Sequence, residues 1–81
     1  MIKPGEGITL DGTEYLCIDT IRLNDRDYVY LTTIEEPLVI CFAEQKMQEN
    51  ELQIREISTK AEKIKLFEAF QQQIKQKLSD S

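Results

Sequence analysis

Few residues in this chain could do chemistry. Histidine and tryptophan are absent, which removes the commonest general base and metal ligand. What remains is two cysteines, Cys17 and Cys41, an adjacent carboxylate pair, Glu35-Glu36, two closely spaced tyrosines, Tyr28 and Tyr30, and a run of C-terminal lysines. Paired carboxylates work as acid and base only in a shaped, partly dry pocket, whereas Glu35-Glu36 beside Pro37 reads as a solvated turn. Cys17 has no neighbour in sequence that would lower its thiol pKa. Tyr28 and Tyr30 could stack unpaired bases, but the same spacing suits cross-strand packing with the hydroxyls at the rim. No cysteine pair has zinc spacing, no Gly-rich phosphate loop follows a strand, and there is no nucleophile elbow. The expectation is therefore a non-enzyme, with no catalytic residue, metal ligand or cofactor site, and with its binding residues unassigned.

The elements that carry these residues are built around Glu14 to Thr33. Tyr15 to Leu23 and Tyr28 to Ile34 are rich in β-branched and aromatic residues, which suit a half-buried pleated surface. Asn24-Asp25-Arg26-Asp27 between them is turn chemistry, and so short a loop implies antiparallel pairing. Ile8-Thr9-Leu10 adds a first strand through the Asp11-Gly12 turn, and Met1 to Gly7, with little to bury, reads as a loose lead-in. Leu38 to Ala43 is a nearly continuous apolar run, expected to be a fourth strand buried on both faces. Glu44 to Glu51 reads as a polar connection with room for a helical turn, and Leu52 to Ile57 as a fifth strand whose Ile57 breaks phase.

Thr59-Lys60-Ala61-Glu62 is a capping box, and Lys60 to Leu78 contains neither Gly nor Pro. Ile64, Leu66, Phe67, Phe70, Ile74 and Leu78 share one arc of this helix, which predicts that all six face the core. Ser79-Asp80-Ser81 should fray. The predicted fold class is α+β: an antiparallel sheet of four or five strands (residues 8–57), flat or curled, with one C-terminal helix (59–78) packed on it, as a single domain over 1–81.

At 81 residues the chain is a small domain with a correspondingly thin margin of stability. It shows no signal-like start, disulfide spacing or membrane-length apolar run, so the expectation is a cytoplasmic protein with reduced cysteines. The net charge is −5, distributed as −7 over residues 1–59 and +3 over residues 60–77. An acidic body disfavours nucleic acid, whose binding needs phosphate-neutralising cations. Both alternating faces of the three central strands are apolar, with Tyr15, Cys17, Ile21 and Leu23 expected together on one side of the second strand. One helix covers one face; curling of the sheet, a second copy or another protein must cover the other.

The segments ITLDGTEY (Ile8 to Tyr15), DTIRLNDRDYVYL (Asp19 to Leu31) and KLFEAFQQ (Lys65 to Gln72), with their strand and helix order, resemble the YrzB-like family of small bacterial proteins of unknown function. The family is acidic throughout, whereas this helix is net basic. The resemblance implies no enzyme activity, cofactor or site residues. The functional expectation is a protein-interaction module that forms a symmetric homodimer, the competing solution being that the Ile8 and Leu52 strands curl the sheet over its own second face. The alternative is a nucleic-acid- or ribosome-associated accessory factor using the Lys-rich helix.

Overall fold

The computed structural model describes residues 1–79. Five strands, β1 (Gly7–Leu10), β2 (Thr13–Leu23), β3 (Arg26–Thr33), β4 (Ile40–Gln48) and β5 (Glu51–Glu56), form an antiparallel meander in sequence order, followed by α1 (Lys60–Ser79). The sheet curls into a half-barrel, so that side chains of the two edge strands, Leu10 and Ile54, pack on one inner cluster. The helix continues through Ser79; the fraying expected of Asp80 and Ser81 lies outside the described residues.

Three two-residue turns set the register. Asp11-Gly12, Asn24-Asp25 and Glu49-Asn50 all have positive φ at both positions, the signature of the turn whose twist matches a β-hairpin. They join Leu10 to Thr13, Leu23 to Arg26 and Gln48 to Glu51. The central turn is thus tighter than its four polar residues suggest, because Arg26 and Asp27 already pair in β3. The third turn corrects the expected connection over Glu44 to Glu51. The strand starts at Ile40, runs on to Gln48, and reverses at Glu49-Asn50. Glutamate is a poor sequence marker for a left-handed turn, since its Cβ makes that conformation costly. Leu38 and Val39, expected inside a strand buried on both faces, instead lie exposed in the β3–β4 loop. That loop is tied by Thr33, whose Oγ1 accepts from the Val39 N–H at 2.8 Å and donates to the Pro37 carbonyl at 3.2 Å.

The inner face carries Cys17, Val29, Leu31, Cys41 and Ala43, and is capped by Ile2. This corrects the expectation that residues 1–7 have little to bury. The Ile2 N–H donates to Gln45 Oε1 at 2.8 Å and Gln45 Nε2 donates back to the Ile2 carbonyl at 3.1 Å. Gly5 and Glu6 hydrogen-bond the backbone of Cys17 on β2. Gln45 is 3% exposed and satisfied, as a buried amide must be. The chain therefore covers this face by curling and by folding its own start across it.

The opposite face is the helix face. Tyr28, Phe42, Ile57, Leu66 and Phe70 form its buried cluster, with Ile21, Leu23 and Tyr30 alongside. Ile57 lies one residue beyond β5, donates its N–H to the Phe42 carbonyl, and points to this face. Its break of phase is thus explained by the strand's end. The four residues expected to share one side of β2 are divided. Pairing shifts by one between Cys17 and Asp19, a β-bulge at Ile18. Tyr15 and Cys17 pack on the inner cluster, whereas Ile21 and Leu23 pack on the helix side.

Candidate interaction surface

The bulge also turns Asp19 toward the helix, opposite Tyr30. Its carboxylate, 5% exposed, accepts from Gln73 Nε2 at 3.0 Å, from Lys77 Nζ at 3.1 and 3.2 Å, and from the Thr20 N–H at 2.9 Å. Gln73 Nε2 donates also to the Thr20 carbonyl at 2.8 Å. Burial pushes the Asp19 pKa up, but the hydrogen bonds from Gln73, Lys77 and Thr20 and the charge of Lys77 outweigh it and hold the group below its usual value. This polar bolt fixes the C-terminal half of α1 over β2.

Where the helix sits decides what it leaves open. At its centre Phe70 is fully buried, edge-on to Tyr30 with ring centroids 5.5 Å apart and stacked on Phe42 at 5.8 Å. Leu66 is buried beside it. The expectation that all six apolar helix residues face the core is corrected: Ile74 is half-buried, while Ile64, Phe67 and Leu78 are exposed. The predicted arc is real, but a cylinder resting on a twisted sheet buries only the middle of a wide stripe. Ile64 and Phe67 form the flank of a groove with Phe42, Lys63, Glu68 and Gln71.

Beyond that flank the helix face of the sheet is uncovered. Thr32 pairs with Leu16 on one side and Ile40 on the other, and these three positions lie one row past Tyr30 and Phe42. Ile18 stands in the adjacent bulge, and Glu14, Ile34 and Glu35 line the sheet's end. Leu16 (37%), Ile18 (42%), Ile34 (55%) and Ile40 (53%) are all exposed. Together with Ile64 and Phe67 they make a ridge and a shelf of apolar side chains, which a folded chain seldom leaves in water without use.

The residues singled out in the sequence are not brought together. Glu35 and Glu36 are exposed in the β3–β4 loop. Tyr28 is buried and Tyr30 half-buried beneath the helix, so neither ring face is open to a stacked base. Cys17 and Cys41 lie in one row of the inner face, opposite Leu31 from either side. Two strand spacings, roughly 10 Å, separate them, too far for a disulfide. Cys41 lines a groove of about 230 Å³ between the sheet edges with Leu10, Tyr15, Ile54 and Glu56. Burial, then the charge of Glu56 and its hydrogen bond at 3.6 Å, push this thiol up to about 11. Burial, followed by the Asp19 charge, raises Cys17. Both are poor nucleophiles at neutral pH. Among the described residues no cluster of His, Cys, Asp or Glu could hold a metal ion, and no helix is long and apolar enough to cross a membrane.

Neither the Asp19 bolt nor the ridge and shelf was assigned from sequence. A lone acid in an apolar strand, with Gln73 and Lys77 one turn apart on the helix, was the available signal for the bolt. No family model, curated protein or solved structure matches the chain.

Proposed function

We propose that the protein is a non-enzymatic, cytoplasmic interaction module that works by binding protein through the ridge and shelf between α1 and the uncovered end of the sheet. The observation that carries this reading is that Phe67 and Ile64 stand exposed along the helix over Phe42, and that Ile40, two residues before Phe42 on β4, and Leu16, in the same row of the sheet, are exposed too, with Ile18 exposed in the bulge next to that row. Such a surface buries aromatic and aliphatic anchors in a partner and has a charged rim, the usual anatomy of a protein interface. The inner-face groove is smaller, about 230 Å³, and burial and Glu56 keep its thiol protonated at neutral pH.

The nucleic-acid reading loses the base-stacking tyrosines to the core, and Lys77 to its ion pair with Asp19. What supports it is the remaining helix lysines alone. Two measurements decide between them. Capture of a specific protein by the wild-type chain and not by a folded Phe67→Glu variant supports the module. Binding of mixed RNA that weakens steeply with salt and survives Phe67→Glu contradicts it and favours the phosphate-binding alternative.

A further inference from the structure

Resting on that reading, we infer that the partner of this surface is a second copy of the same chain, docked about a two-fold axis so that each helix ridge lies on the other copy's sheet shelf. Three observations converge on it. The first is shape. The surface holds a raised element, Ile64 and Phe67 on the helix over Phe42, and a lower one a row away on the sheet, Leu16 and Ile40, with Ile18 in its bulge and Ile34 just past β3. A two-fold interface needs one patch that is complementary to itself, and a ridge adjoining a shelf meets that condition because the rotation exchanges the two.

The second is charge. Lys63 stands beside Phe67 in the groove along the ridge, with Glu68 on the same groove, and Glu14 and Glu35 stand at the end of the shelf. Rotation brings Lys63 of each ridge toward the acidic end of the opposite shelf. A strongly acidic partner would be repelled by the end of the shelf, whereas a second copy brings a lysine to it.

The third is size. The six side chains are 37–55% exposed, and the adjoining Leu38 and Val39 are 64% and 52% exposed. Together they offer on the order of 700 Å² of apolar surface per copy, near the roughly 800 Å² per partner of a standard stable interface.

Sedimentation equilibrium over low to high micromolar concentrations tests the inference on the wild-type chain and on Phe67→Glu and Ile40→Glu, one substitution on the ridge and one on the shelf. Far-UV circular dichroism and thermal melts check that each variant folds. The expected result is a species of twice the 9.5 kDa chain mass for the wild type, with dimerisation weakened at least tenfold by either substitution and also weakened by salt. A wild type of single-chain mass throughout overturns the dimer. It leaves the interaction module standing if protein capture still depends on Phe67. A dimer indifferent to both substitutions overturns the inference and the surface on which the proposed function rests.

Discussion

On the inner face of the sheet, the central side chains meet other parts of the chain: Leu31 and Val29 are sealed by curling, by the edge strands, and by Ile2 held on Gln45. On the helix face the same five strands are only half covered. Tyr28, Phe42 and Phe70 are buried, while Leu16, Ile18 and Ile40, one row away, are not. The difference lies in the covering element. A curling sheet follows its own curvature and closes over its concave side, whereas one straight helix on the other side touches a strip and stops. A small domain can thus complete one core internally and leave part of the other face exposed.

The largest test of this contrast is at the centre of the helix face. Phe70→Ala removes a fully buried ring that touches Tyr30 and Phe42, and should cost about 3–5 kcal/mol in urea unfolding, most of the stability of a domain this size. The inner face has its own counterpart. Gln45→Leu leaves the buried N–H and carbonyl of Ile2 without partners, at a cost of about 2–3 kcal/mol. Protease digestion should then cut within residues 1–6 faster than in the parent. Unchanged stability and cutting would mean that Ile2 is not a seal.

The Asp19 bolt gives a smaller effect with a pH signature. Asp19→Ala should destabilise by about 2 kcal/mol at pH 7. The folded-state pKa of Asp19 is depressed below the value near 3.9 of an unfolded aspartate. Its contribution is therefore present above that value and lost as pH falls through the lower, folded one. Urea midpoints of parent and variant should differ at pH 7 and draw together as pH falls through the lowered folded-state pKa. A gap that persists or widens in acid would remove the carboxylate from the account of helix docking.

Much of the fold was legible in the sequence, and the reasons it was not all legible are local. Strand content, antiparallel pairing, the Asp11-Gly12 turn and the closing helix follow from propensity, turn chemistry and periodicity. The bulge at Ile18 left no mark in composition, because a one-residue shift is a tertiary choice driven by where Asp19 can find Gln73 and Lys77. The hairpin at Glu49-Asn50 was hidden by a glutamate in a left-handed conformation. Ile2 was hidden by its setting among Lys3, Pro4 and Gly5, which suggests a tail. The exposed apolar surface was hidden most effectively, since a residue such as Phe67 looks the same in sequence whether its side of the helix is covered or not.

The smallest expected change in stability is accordingly the most direct test. Phe67 is one residue from Leu66 and three from Phe70, yet is 42% exposed where they are 4% and 0%. Urea unfolding of monomeric Phe67→Ala, at concentrations low enough to exclude association, should fall within about 1 kcal/mol of the parent. A loss as large as that of Phe70→Ala would place Phe67 in the core, and the division of the helix stripe into a buried half and an exposed half would be contradicted.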